Sequence, residues 1–334
     1  MYSISLQTNP NFQLFLRISD AEYVDVFLNP GSALFIQNTN EVFSMIQLPV
    51  SCTVGEESRA FRIKRGVLKS VSGSGRVECT VRPESVQLKS FEEDERVRYI
   101  VTVRNEMVFA SIYSDKLDYL SKHSSYEYFD IRELKDMQKI AKAAGSTLNL
   151  DNNACGIIFP EGIRVYKRYS CEAPIGISAR GFEALRKCSN LFFNVNNFIG
   201  AVNGTFAVLV NKVRFSDNEI FHDVAGERFG SSFIAKINIA NLRAFLAEKR
   251  VEENFLTFSL EKQLCSLVVA GAEYSIPVYM NDVQKSERCS VTELKIPLRL
   301  FKTVFNNLPS SNYVLRVKQH FIQLEQNDYY ILFK

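Results

Sequence analysis

Within residues 131–144, Arg132, Lys135, Lys139 and Lys142 recur at steps of 3, 4 and 3. On a helix that spacing puts all four on one face. Ile131, Leu134, Met137, Ile140, Ala141 and Ala144 form the apolar stripe beside them. Flexible cations in a row attract phosphate oxygens whatever the base sequence, and they do so less strongly as salt rises. Arg62, Arg65 and Lys69 repeat the steps of 3 and 4. Arg186 with Lys187, Arg243 with Arg250, and Arg299 with Lys302 are sparser versions. Six helical windows, 11–20, 61–72, 131–144, 180–190, 239–250 and 297–308, hold 17 Lys/Arg against 5 Asp/Glu, whereas the whole chain is only +3. A single basic stripe reads more readily as an ordinary solvated face. Its recurrence, with the acids displaced to strands and loops, is what favours a polyanion. No element carries the Asn/Gln/Arg pattern that reads base edges, so the expected binding is sequence-independent.

Catalytic chemistry finds little support. His123, His222 and His320 are far apart and form no metal-spaced cluster. Gly73-Ser74-Gly75 lacks the Lys-Ser/Thr of a phosphate-binding loop, and no G-x-S-x-G elbow occurs. Seven cysteines with no C-x-x-C pair read as reduced thiols, with Cys155, Cys171, Cys188, Cys265 and Cys289 as small core residues. The expectation is no enzyme activity, no metal and no cofactor. The chain has no visible secretory signal and no apolar run long enough for a membrane span, so a cytoplasmic protein with no membrane partner is expected.

The elements that must position these cations form a repeat. Residues 233–334 read twice as a short β lead-in, an amphipathic helix (239–250, then 296–308) and three strands. The pattern β-α-β-β-β extends back through the chain, with helices starting near residues 11, 61, 131, 178, 239 and 296. In the second repeat the helix is read over 61–72. In the third it is read over 130–144, with Asp130 as N-cap, Glu133 completing a capping box and Gly145 as stop. Longer gaps follow the second and fourth repeats, and residues 114–125 and 217–232 read as polar linkers. The six repeats group into three domains, 1–115, 125–217 and 230–334, of ordinary size. The fold class is α+β.

Six such repeats in three domains resemble the DNA sliding clamps, specifically the bacterial DNA polymerase III β subunit. The family's D-G-H-R-L turn matches Glu161-Gly162-Ile163-Arg164-Val165, with the acid exchanged and the His lost. The final strand, Tyr329-Tyr330-Ile331-Leu332-Phe333-Lys334, stands where the family ends, without its M-P-M-R-L letters. The F-P-D-Y-R-R-V segment is matched only loosely, around Phe221 and Val224. These departures mark a remote relative, such as one encoded by a phage or plasmid. The resemblance implies a clamp fold with helices lining a central channel and sheets outside. It further implies a head-to-tail homodimer around double-stranded DNA, a DNA polymerase and a clamp loader as partners, and a hydrophobic peptide cleft. Carried over residue by residue, the cleft would use Gly162, Arg164 and Val165 on one wall and Ile331, Leu332 and Phe333 on the other, with Phe221 and Val224 nearby. Two other readings share the pattern: a DNA-binding processivity factor that closes no ring, and a β-rich structural or interaction protein such as a virion component.

Overall fold

The computed structural model describes residues 2–4, 10–52, 57–72, 76–92, 94–159, 162–171, 174–214, 233–247, 255–261, 264–269, 272–279, 293–318, 321–326 and 328–333. Six β-α-β-β-β repeats follow one another along it. The first is β1 (Tyr2–Ile4), α1 (Pro10–Ile18), β2 (Tyr23–Asn29), β3 (Ser32–Asn38) and β4 (Val42–Cys52); the second is β5 (Arg59–Lys64), α2 (Arg65–Val71), β6 (Arg76–Val81), β7 (Ser85–Phe91) and β8 (Val97–Arg104). After α3 (Ser114–Ser121), the third comprises β9 (Tyr128–Asp130), α4 (Lys135–Ala144), β10 (Thr147–Leu150), β11 (Ala154–Ile158) and β12 (Ile163–Arg168). The fourth is β13 (Ile175–Ser178), α5 (Ala179–Cys188), β14 (Leu191–Val195), β15 (Phe198–Asn203) and β16 (Phe206–Asn211). The fifth is β17 (Phe233–Asn238), α6 (Ile239–Ala247), β18 (Phe255–Glu261), β19 (Leu264–Val269) and β20 (Ala272–Tyr279); the sixth is β21 (Glu293–Pro297), α7 (Leu298–Asn307), β22 (Asn312–Lys318), β23 (Phe321–Gln326) and β24 (Tyr329–Phe333).

Turn chemistry sets the hairpins. Pro30 presets φ at the first turn position and Gly31 takes φ 90° at the second, so Asn29 pairs with Ser32. Gly145 ends α4 at φ 63°, and Ser146 N–H reaches back to the Ala141 carbonyl at 2.9 Å, a left-handed cap.

The chain divides into two compact units, residues 1–132 with 180–212, and residues 133–179 with 213–334. Each unit is one twelve-stranded sheet, and every named strand pair is antiparallel. In the first unit β4 pairs with β16 over Val42–Ile46 and with β1 over Val50–Cys52. In the second, β12 pairs with β24, and β20 meets β17 only at Tyr279 and Val278.

In the first unit's sheet β2 is buried on both faces. Phe12, packed with Phe15 on α1, sets its ring against Phe35 at 5.2 Å on one side. On the other, Tyr113 and Leu120 enter a cluster with Phe27, Ile36, Phe43, Phe193 and Leu209. That second cover is α3, in a stretch that reads as linker from its polar composition, with Tyr113 from the turn before it. The apolar residues of α3 are few, but Leu117, Tyr119 and Leu120 all pack on this cluster.

Three further readings are corrected. Residues 59–64 are strand, so α2 begins only at Arg65 and Arg62 lies on β5, not on a helix. The third-repeat helix starts later, with a 3-10 turn at Arg132–Leu134 ahead of α4. Asp130 still accepts the Arg132 N–H at 2.9 Å, as a cap would. Residues 107–112, which also read as a strand, form none.

Candidate nucleic-acid interface and partner site

Helix α4 turns Met137, Gln138, Ile140 and Ala141 into the core, which leaves Lys135, Lys139 and Lys142 exposed. Its acid, Asp136, turns away from them and accepts the Tyr329 hydroxyl at 3.3 Å. Burial, and then the Asp136 carboxylate, push the Tyr329 phenol above its ordinary range. Lys167, on β12, anchors the same corner: its ammonium donates to the Glu133 carbonyl and lies 5.2 Å from the Tyr329 ring. Arg132 stands off the helix and is paired with Asp130, Nε to Oδ2 at 2.7 Å. That guanidinium holds the Asp130 carboxyl below its usual range.

Helix α7 packs beside α4 and buries Leu298, Phe301, Val304 and Phe305. Arg299 is exposed and Lys302 half-buried on its remaining face. Helix α6 also lies against α7, but its arginine serves another purpose. Arg243 Nε donates to the Phe305 carbonyl and Nη1 to Ser310 Oγ, both at 2.6 Å, and Nη2 donates to the Leu308 carbonyl. These acceptors close the C-terminal end of α7, where carbonyls lack helical partners.

In the other compact unit, cations are mostly engaged. Arg62 binds Asp25 through Nε at 2.7 Å and Nη2 at 3.0 Å, and Tyr113 donates to the same carboxylate at 2.5 Å. Arg65 donates to the Ser19 carbonyl, Arg180 pairs with Asp20, and Lys187 pairs with Glu183 at 3.1 Å. Arg186 is half-buried and Lys69 is exposed on α2. Arg250, Phe221 and Val224 lie outside the described residues.

The two segments expected to wall a peptide cleft are adjacent strands. Ile163, Arg164 and Val165 pair with Phe333, Leu332 and Ile331. Their proximity follows the expectation, but their exposure does not. Val165, Ile331, Leu332 and Phe333 are all buried, and Phe333 stacks 6.2 Å from Phe305 and 5.7 Å from Phe301. Only Gly162, at φ 86°, and Arg164 are half-buried. A cleft wall needs one face of β24 free, whereas both of its faces are closed.

Two features escaped the sequence reading. One is the buried Asp25, a lone acid in an apolar strand, detectable only through its distant partners. The other is the exposure of β8, which reads as a strand but also ends the first unit's sheet, with Val97–Ile100 exposed on both faces and Val101 and Val103 half-buried. Six of the seven large apolar side chains exposed among the described residues lie between Val97 and Ile112: Val97, Tyr99, Ile100, Met107, Phe109 and Ile112. Among the described residues no group of three His, Cys, Asp or Glu is placed to hold a metal, and no helix is long and apolar enough to cross a membrane.

No protein-family model matches the sequence, and no curated protein matches it. Solved structures do match its fold. A putative DNA polymerase III β subunit from Eubacterium rectale superposes with a TM-score of 0.71 at 8% identity, covering 100% of this chain and 98% of that one. The DNA polymerase III subunit β from Pseudomonas aeruginosa gives 0.70 at 12% identity, covering 100% and 99%. The Helicobacter pylori β clamp, bound to a DNA ligase peptide, gives 0.66 at 10% identity, again covering 100% and 99%. The chain therefore has the α+β fold of the DNA polymerase III β clamps from end to end, at identities that carry the fold and nothing finer.

Proposed function

We propose that this chain is a non-catalytic sliding clamp, a head-to-tail homodimer that surrounds duplex DNA and tethers a polymerase, placed there by a loader. The observation that carries the reading is which third strands are paired. Counting the last strand of each repeat, β4 of the first pairs with β16 of the fourth, and β12 of the third pairs with β24 of the sixth. Among the described residues, the last strands of the second and fifth repeats, β8 and β20, have no such partner. β4 shows what β20 lacks. It pairs with a lead-in strand at one end and a foreign third strand at the other, while, among the described residues, 272–277 of β20 pair only with β19. A second copy supplies the missing partner, β8 against β20, and the same contact repeated closes a two-subunit ring. It also removes an exposed apolar edge that would otherwise invite aggregation.

The three-domain division at 1–115, 125–217 and 230–334 goes with this reading, since each domain then holds two repeats. The duplex would be held by helix cations without sequence preference. The partner peptide would dock by Gly162 and Arg164, the half-buried positions where β12 meets β24.

The test is mass in solution and its dependence on β8. The wild-type chain should behave at micromolar concentration as a particle of about 76 kDa, twice the 38.1 kDa chain. Tyr99→Asp/Ile100→Asp should release folded monomers and lose retention on closed circular DNA. A wild-type monomer across that range would end the ring reading.

A further inference from the structure

The β12–β24 joint turns its two faces to different neighbours. One face meets the helices: Phe333 stacks on Phe305, Tyr329 reaches Asp136, and Lys167 donates to the Glu133 carbonyl. Alternation sends Arg164, Tyr166 and Arg168 to the opposite face, with Leu332 and Tyr330 across from the first two. The apolar surface there is closed, since Leu332, Tyr166 and Tyr330 are buried, whereas Arg164 is half-buried and Arg168 exposed. Arg168 Nη2 donates to the Tyr330 hydroxyl at 2.7 Å, and its guanidinium carbon stands 5.6 Å from that ring. Burial raises the Tyr166 phenol, and the neighbouring Arg164 guanidinium pulls it back. Both arginines therefore rest against tyrosines. Among the described residues no carboxylate pairs with either one: Glu325 stands opposite Tyr330 on β23, and Asp328 meets Arg168 by accepting its N–H on the main-chain carbonyl at 2.8 Å.

The corresponding joint in the other compact unit, β4–β16, has an occupied face. Counted from the start of each ladder, Phe43 holds the place of Arg164, and Met45 that of Tyr166. Phe43 lies 5.7 Å from the Tyr113 ring, and Met45 packs on the same cluster as Leu117 and Leu120 of α3. There an apolar face is covered by an apolar segment of the chain itself. Where the counterpart of Phe43 is arginine, an apolar cover would strip water from a guanidinium without replacing it, so a fitting occupant brings anions. We infer that this face of β12–β24 docks an acidic peptide segment of a partner protein, its carboxylates held by Arg164 and Arg168, in place of an apolar cleft. This rests on the proposed function and names the chemistry of the partner at that site. The two arginines are four residues apart on one strand, about 13 Å, which is also the spacing of side chains four apart in an extended peptide. Guanidinium forks take carboxylates through two parallel bonds, and forks already steadied by tyrosines lose little freedom when the partner arrives.

The experiment uses the full-length chain and two fluorescein-labelled peptides of extended sequence, identical except for two glutamates or two glutamines four residues apart. Anisotropy at about 50 mM salt should show the glutamate peptide binding at least about tenfold more tightly, the size of one charge-assisted bond. Raising salt to about 200 mM should weaken the glutamate peptide alone. Arg164→Gln and Arg168→Gln should each cost that peptide about tenfold and leave the glutamine peptide unchanged, while Lys64→Gln, on β5, should cost neither. Arg168→Lys keeps the charge without the fork and should fall between. Urea midpoints confirm that each variant is folded, and the peptide pair tests the wild type without any variant. Equal binding of the two peptides, no binding of the glutamate peptide up to about 1 mM, or binding indifferent to both arginines would overturn the inference and leave the clamp reading standing. Displacement of the glutamate peptide by random-sequence duplex would make the face a phosphate site and overturn it as well. Solution mass and retention on circular DNA decide the clamp reading separately: a monomer that binds the glutamate peptide through these arginines would end the ring and keep the docking site.

Discussion

Arg62→Met separates the role that the sequence suggests for Arg62 from the one its surroundings give it. Asp25 is 3% exposed and accepts two bonds from Arg62 and one from Tyr113. Its hydrogen bond to Asp25 raises the Arg62 guanidinium above its ordinary range, so that group stays charged at any working pH. Burial, and then the bond to Asp25, raise the Tyr113 phenol. Breaking a fully buried pair from one side costs about 3–5 kcal/mol, because an uncompensated charge is left behind. The Arg62 side chain is 36% exposed, so water can reach part of the vacated space. The expected cost is therefore about 2–3 kcal/mol, below the fully buried limit. At about 2–4 °C per kcal/mol, the melting midpoint should fall by about 4–12 °C. Removing all three partners, as Asp25→Leu/Arg62→Met/Tyr113→Phe, should recover most of that loss, since no polar group is then stranded. Thermal and urea unfolding report the stability, and duplex titration reports the function. The reasoning fails if Arg62→Met is as stable as wild type, or if it lowers the salt slope as a phosphate contact would.

Three further outcomes follow from other sites. Arg243→Ala strips three bonds from the end of α7 and should cost about 1.5–3 kcal/mol in urea unfolding, with the salt slope for duplex unchanged. Gly200→Ala would set a methyl group into the Phe193 ring that lies across β15, and a cost of about 1–3 kcal/mol should appear as a lowered melting midpoint. Burial pushes the Cys79 and Cys188 thiols up to about 12, so both keep their protons after unfolded thiols, near 8.5, have lost theirs. The unfolded chain then binds fewer protons, and stability should fall as pH rises above about 8.5, by about 1.4 kcal/mol per pH unit for each thiol. Denaturant midpoints from pH 7.5 to 10 test this, and Cys79→Ala/Cys188→Ala should flatten the decline.

The repeat was legible because two periods alternate along the chain. Strands such as β4 switch between buried and exposed positions, and helices such as α4 keep an apolar stripe. Arg62 was misplaced because Phe61, Leu68 and Val71 satisfy a helical spacing, while Arg-Ala-Phe-Arg-Ile-Lys also alternates as a strand should. β1 has three residues, too few to carry a period. The destination of Arg243 could not be read, because its acceptors at Phe305 and Leu308 are over sixty residues away and belong to the main chain, which has no letter of its own. Burial of Leu332 and Tyr330 likewise depends on closure of the outer face of β24, and a five-residue apolar strand reads the same whether one face or two are covered.

The sheet joints have a practical corollary for cutting the chain. β4 and β16 form one ladder although more than a hundred and fifty residues separate them, and so do β12 and β24. A fragment ending near residue 120 would carry β4 with its Val42–Ile46 edge bare, and an excised 125–217 would bare both β12 and β16. Such pieces should be sticky and poorly soluble, although each contains whole repeats. Conversely, a protease nick between α3 and β9 severs one peptide bond but leaves the β4–β16 ladder in place. The nicked protein should travel as a single body on a sizing column and fall into two bands only in detergent.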